Sequence, residues 1–213
     1  MLVNQWLEHS AQRYPDKTAL VFEGTRLTYR EIDQQANQLA HSLIAGGAQP
    51  GDRVIIFLEN SIEAVIAIFG ALKAGAVFCI VNPTTKTDKL TYMLQHTRPA
   101  ALITYSNKLN VALPAVEQAP SVQQIIVAGV MPELEGARRN LHRWAAVLTA
   151  QPVTQPVAHS IDVDLAAMKH PPTTFVHDLA SRLRCRKCAK AGRRPSATLL
   201  QLAWQPRHPR TEA

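Results

Sequence analysis

Cysteine is scarce in this chain, acids are scarce after residue 168, and glycine nearly vanishes after Gly136. The three cysteines, Cys79, Cys185 and Cys188, do not make a disulfide framework. Cys79 lies in an apolar run and reads as a small core residue. The opening residues, MLVNQWLEHSAQRYPDK, carry acids and Gln early and no unbroken apolar stretch, so no signal peptide is expected. The longest apolar stretch, Ala64–Ala71, falls far short of the roughly 20 residues that span a bilayer. A cytoplasmic location is expected.

What is there divides in two. Residues 1–168 hold 13 Lys+Arg against 14 Asp+Glu, a net of −1, while residues 169–213 hold 10 against 2, a net of +8. The whole formal charge of +7 therefore comes from the end of the sequence. A pI near 9.6 would ordinarily point to nucleic acid or an acidic surface. Here only the tail can carry such a role, because the body is close to neutral. That body is long enough to bury a substantial core.

The body reads as alternating helices and strands. Val3, Trp6, Leu7 and Tyr14 share one face of a helix over 3–14. Thr18–Phe22 and Arg26–Thr28 read as strands around a Glu23-Gly24 turn. Thr28 and Glu31 have the spacing of a capping box, S/T-x-x-E, opening a helix that Gly46-Gly47 stops. Pro50-Gly51-Asp52 turns into a strand, Arg53–Leu58, and Asn60 or Ser61 caps a helix that Gly75 ends. Val77–Val81 is nearly all apolar, which suits a strand covered on both faces. A helix over Asp88–Thr97, a strand Ala101–Thr104, a helix over 107–118 disturbed by Pro114, and a strand Gln124–Val127 follow. A helix is expected over 136–149, with Leu141, Trp144, Ala145 and Leu148 on one face. Gln151–Ser160 is a polar, Pro-broken connector, and Asp164–Met168 begins another apparent strand. This order predicts an α/β fold with a largely parallel sheet and flanking helices.

Two blocks carry a family signature. Leu27-Thr28-Tyr29-Arg30-Glu31-Ile32 matches an L-[ST]-Y-x-E-L block, and Leu72-Lys73-Ala74-Gly75-Ala76-Val77-Phe78, followed by Val81-Asn82-Pro83, matches an L-K-A-G-x-x-Y…x-P block. With Pro50-Gly51-Asp52-Arg53-Val54 and Asn60-Ser61 in order between them, residues 1–168 resemble the AMP-forming acyl-adenylating enzymes. The stretch VNPTTKTDKLTYMLQHTRPAALIT is similar to their acyl-CoA synthetase branch. The resemblance implies an incomplete N-terminal subdomain of that fold. The residues of both blocks read as structural. Thr28 and Glu31 cap a helix, Gly75 turns a helix into a strand, and Lys73 reads as a solvated helix-end charge complementing the dipole. No catalytic, cofactor-binding or metal-binding residue is assigned.

The resemblance implies a two-step reaction. Carboxylate and ATP give an acyl-adenylate and pyrophosphate, and the CoA thiol then displaces AMP. ATP, Mg and CoA belong to that chemistry in the parent family. The family resumes after "DLAA" with a loop of the type Y-T-S-G-[ST]-T-G-x-P-K-G, whose small residues let backbone N–H groups approach phosphates. Here Asp164-Leu165-Ala166-Ala167-Met168 is followed by Lys169-His170-Pro171-Pro172, and Gly192 is the only glycine after Gly136. No such loop exists in the 213 residues, so no cofactor is expected to bind this chain and the chain is expected to be inactive alone.

Residues 169–213 are expected to form a basic tail of non-family sequence, disordered or irregular. Their Arg-, Pro- and Ala-rich composition reads as translation in a shifted frame. Cys185 and Cys188 with His170 or His177 would be half a zinc site at most. Phe175, Leu179 and Leu183 with Arg182, Arg184, Arg186, Lys187 and Lys190 fit a basic amphipathic helix, a pattern that suits RNA, DNA or an anionic membrane. No aromatic interleaving supports specific nucleic-acid binding. Self-association through exposed apolar surface, or a complementing chain in a split enzyme, are the partners expected.

Overall fold

A computed structural model describes residues 2–130 and 140–154. Helix α1, Val3–Arg13, buries Leu7 and Asn4 and leaves Trp6 66% exposed. Strands β1, Thr18–Phe22, and β2, Thr25–Thr28, form an antiparallel hairpin. Its turn places Glu23 and Gly24 both at positive φ, the geometry that a two-residue hairpin requires.

Helix α2, Tyr29–Ala45, opens on the expected capping box. The Thr28 backbone N–H donates to Glu31 Oε2 over 2.7 Å, and the Glu31 N–H donates to Thr28 Oγ1 over 3.2 Å. Two otherwise orphaned helix-end donors are thereby satisfied. The Glu31 carboxyl is held below its ordinary range, first by that backbone N–H and then by the Thr28 hydroxyl.

The main sheet follows from the alternation of strand and helix. Strands β3 (Arg53–Phe57), β4 (Val77–Ile80), β5 (Ala101–Tyr105), β6 (Gln124–Ala128) and β7 (Leu141–Arg143) form a five-stranded sheet in the order β4-β3-β5-β6-β7. All its pairings are parallel, and the connecting helices cover both faces, as crossover connections demand. Helices α3 (Ile62–Lys73) and α6 (Trp144–Ala150) join α2 on one face. Helices α4 (Thr87–Thr97) and α5 (Leu109–Glu117) lie on the other.

Side-chain alternation divides the core accordingly. Val54, Ile56, Ile103 and Ile126 point into the α2/α3/α6 side, while Ile55, Phe57, Leu102, Ile125 and Val127 point into the α4/α5 side. Each is essentially fully buried. A third, smaller cluster of Leu7, Ile32 and Ala36 seats α1 and the hairpin on α2 and α3.

Three expectations need correction. Val77–Val81 is only partly covered, with Phe78 against the α2/α3/α6 core and Cys79 and Val81 against the α4/α5 core. Strand β4 is at the sheet edge, with Val77 38% and Ile80 60% exposed. The expected helix over 136–149 is instead strand β7 followed by α6 among its described residues. Leu141 packs on the α4/α5 side, while Trp144 and Leu148 pack on the α2 side. One helix face cannot serve both sides of a sheet, so the chain crosses as a strand.

The third correction concerns Lys73. It is not a solvated helix-end charge. Its side chain is fully buried, with Nζ 3.0 Å from Glu8 Oε1 on α1 and 2.9 Å from Asp33 Oδ1 on α2. The Asp33 contact is ionic rather than a well-aligned hydrogen bond. Ile66, Gly70 and Lys73 are all buried along α3, and their spacing of four and three puts them on one face. A lysine there must bring counter-charges with it, because an unpaired buried ammonium is costly.

The connector beyond α6 is tied to α2 where it is described. Asn37 Nδ2 donates to Val153 O over 2.8 Å, Gln38 Nε2 donates to Gln151 O over 3.2 Å, and His41 Nε2 lies 2.8 Å from Thr154 O. The expected strand start Asp164–Met168, the 168/169 boundary, the basic tail, the Cys185/Cys188 pair and the amphipathic pattern all lie outside the described residues.

Candidate functional site

In an open parallel sheet, ligands collect outside the carboxyl ends of the strands where the strand order reverses. Here the chain steps from β3 outward to β4 and returns to pair β5 on the other side of β3. The reversal therefore falls between β3 and β5, and the loops after these strands form its rim.

Several local interactions shape that rim. Ser61 caps α3 by accepting from the Ala64 N–H over 3.2 Å. Glu59, just beyond β3, pairs with Lys108, just beyond β5, at 3.1 Å. Thr104 Oγ1 donates to Phe57 O over 3.2 Å, fastening the ends of β3 and β5 together. Beyond β4, Asn82 Oδ1 accepts from both the N–H and the hydroxyl of Thr84 at 2.9 and 2.7 Å. This turn keeps the Asn82-Pro83 step at the carboxyl edge. Gly129 follows β6 with φ +81°, and a Cβ there would sit 2.5 Å from Tyr105 Cε1.

Among the described residues no three His, Cys, Asp or Glu side chains cluster to hold a metal ion. The Cys79 thiol lies within the edge strand, and burial pushes its pKa up, with only partial opposition from the Arg53 charge. A thiol in that state is a poor nucleophile at neutral pH. The loops after β3, β4 and β5 contain no glycine, so none of them is a Gly-rich phosphate loop.

Sequence reasoning assigns no site residue. It misses the Glu59–Lys108 pair and the Lys73 triad. Both are pairings between residues distant in the chain. Only Lys73 gives a local signal, through its place on the face shared by Ile66 and Gly70.

Comparison with known proteins gives this architecture its family. The model of the AMP-binding enzyme family matches residues 7–180, running past residue 168. The chain belongs to that family. Over 102 residues, 48% of its length, it is 38% identical to tyrocidine synthase 1 of Brevibacillus parabrevis and covers 9% of that protein. It superposes with TM-score 0.65 and 26% identity on the anthranilate CoA ligase AuaEII in complex with anthranoyl-AMP, over 72% of this chain and 29% of that one. Mycobacterium smegmatis MbtA gives TM-score 0.63 and 30% identity, over 77% and 29%. The chain thus spans under a third of either structure, and its described residues form a partial N-terminal segment of the fold.

Proposed function

We propose that this chain is a portion of an AMP-forming acid–CoA ligase and that the 213-residue polypeptide has no adenylation activity of its own. One observation carries the reading. The loops after β3, β4 and β5 contain no glycine, and no part of the 213-residue sequence reads as a glycine-rich loop that could cradle phosphates. The similarity to a CoA ligase holding an acyl-AMP supports the reaction class, carboxylate activation by ATP followed by transfer to CoA. ATP, Mg and CoA belong to the intact enzyme in this reading, and a cytoplasmic location goes with it.

Carboxylate-dependent ATP–pyrophosphate exchange tests it directly. The purified chain with a panel of fatty, aryl and amino acids should stay at background. Exchange above background would overturn the proposal.

A split ligase is the second reading, favoured by the 29% coverage of the superposed enzyme. It predicts exchange only when a second chain carrying the remaining segments is added. A basic binding module acting through residues 169–213 competes with both, but its working part lies outside the described residues. Self-association also belongs to the proposal. Among the described residues β4 pairs only with β3, and its outer edge carries exposed Val77 and Ile80.

A further inference from the structure

Strand β4 is the outer strand of the main sheet, and among the described residues it pairs only with β3. Two bonds show which of its backbone groups that pairing uses. The Val77 N–H donates to Asp52 O over 2.8 Å, and the Val81 N–H donates to Ile56 O over 2.9 Å. Along a strand, alternate residues turn N–H and C=O to the same neighbour. Val77, Cys79 and Val81 therefore face β3, while Phe78 and Ile80 turn their backbone groups to the open edge.

Native edges are blunted by bulges, prolines or charged side chains. Strand β4 has none of these. Its register with β3 runs unbroken from Arg53↔Val77 to Ile56↔Ile80. Pro83 lies beyond the strand, and no charged residue occurs from Ala74 to Thr85. The side chains of Val77 and Ile80 are exposed.

That uncharged run is matched to a second copy of itself. A two-fold axis at Cys79 lays residues 74–84 on the same residues of the other copy, so no like charges meet. Like charges directly opposite are what ordinarily penalise such a pairing. The axis opposes Phe78 to Ile80 of the second copy, and Ile80 to its Phe78. Each outward-facing residue of β4 thereby gains a hydrogen-bonded pair, and an aromatic side chain meets a β-branched one. We propose that β4 is a self-complementary edge through which two copies of the 213-residue chain pair antiparallel, with the two-fold axis at Cys79. This rests on the self-association proposed above and names its contact. One short strand per copy lies at the small end of protein interfaces, below about 1,200 Å² in total, so the dimer is weak and reversible.

Cross-linking and sedimentation test the pairing. Residues on the axis form a non-hydrogen-bonded pair with Cα atoms about 4.5 Å apart, inside the roughly 4.4–6.8 Å that a disulfide spans. The chain carrying Cys185→Ser and Cys188→Ser, oxidised with copper phenanthroline, should give a covalent dimer that a thiol reductant separates. Val77→Cys, with Cys79→Ser added to those changes, should give none, because the two copies of that position lie about 13 Å apart. Ile80→Pro removes an outward N–H and no bond of the β3 ladder. It should weaken association at least about 10-fold in sedimentation, with circular dichroism as in the parent. Ile80→Ala, which keeps the N–H, should weaken association less. A parent chain that never associates refutes self-association and this pairing together. Association without the Cys79 cross-link, or with equal cross-linking through Val77→Cys, leaves self-association standing and overturns the pairing. An effect of Ile80→Ala as large as that of Ile80→Pro overturns it too, because the contact would then be apolar rather than strand to strand.

Discussion

Replacing a mid-helix glycine with alanine ordinarily stabilises a helix by about 0.5–1 kcal/mol. Gly70 on α3 should do the opposite. A Cβ at Gly70 would lie 2.7 Å from Leu39 Cδ2, 2.9 Å from Cγ and 3.0 Å from Cβ. Leu39 is fully buried on α2 and cannot swing into solvent. Helices α2 and α3 would have to separate, or Leu39 would have to leave its rotamer, at a cost of roughly 1–3 kcal/mol. Set against the propensity gain, Gly70→Ala should destabilise by about 1 kcal/mol, with an upper bound of about 2.5. At an ordinary urea slope of about 2 kcal/mol per molar, the midpoint should fall by about 0.5 M without a change in slope. A double-mutant cycle sharpens the test. Leu39→Ala is itself costly, about 2–5 kcal/mol, but it clears the space that the new methyl needs. In that background Gly70→Ala should become neutral or stabilising, a coupling of at least about 1 kcal/mol. If Gly70→Ala raises the midpoint in the parent chain, or if the two changes add within about 0.5 kcal/mol, the close packing of α2 on α3 is wrong as described.

The capping box makes a pH prediction. Glu31 has a lowered pKa in the folded chain against an ordinary 4.5, so its contribution is fully present above pH 4.5 and is lost as pH falls through the folded value. The parent chain should therefore exceed Glu31→Gln in stability at pH 7, with the gap closing on acidification. Denaturant midpoints at pH 7 and pH 3 check this, and a gap that widens in acid would contradict the assignment. Thr28→Ala, which removes the other half of the box, should cost about 1 kcal/mol at neutral pH. The open edge of β4 makes another. Sedimentation should show concentration-dependent association of the parent chain, and Ile80→Lys should reduce it by placing a charge on the edge. A parent chain that stays monomeric across the concentration range would count against self-association.

The local features are legible in the sequence because each is decided by a few neighbouring residues. Thr28 and Glu31 announce their box by spacing and form it. Gly75 announces a left-handed residue after α3 and adopts φ +75°. The errors lie where the answer depends on what comes alongside. A run such as Val77–Val81 is equally apolar in a central strand and in an edge strand, and only the pairing order reveals that one side is open. Leu141, Trp144, Ala145 and Leu148 fit a helical period, yet Leu141 belongs to one face of the sheet and Trp144 and Leu148 to the other. The charge of Lys73 suggests solvent, although its place beside Ile66 and Gly70 indicates burial. The rim between β3 and β5 escapes detection because it exists only once the strand order is known.

The division of the core into two clusters has an evolutionary consequence. Leu102 and Ile103 are bonded neighbours, yet they belong to opposite apolar clusters. Their packing surroundings are separated by the thickness of the sheet. A volume change on the α4/α5 side can be absorbed by compensating changes in those helices while the α2/α3/α6 side stays as it was. The chain can thus drift in sequence one face at a time. The family blocks quoted above straddle this division, since Leu27 and Ile32 with Ala74, Ala76 and Phe78 belong to the clusters around α2 and α3, while Val81 belongs to the α4/α5 cluster.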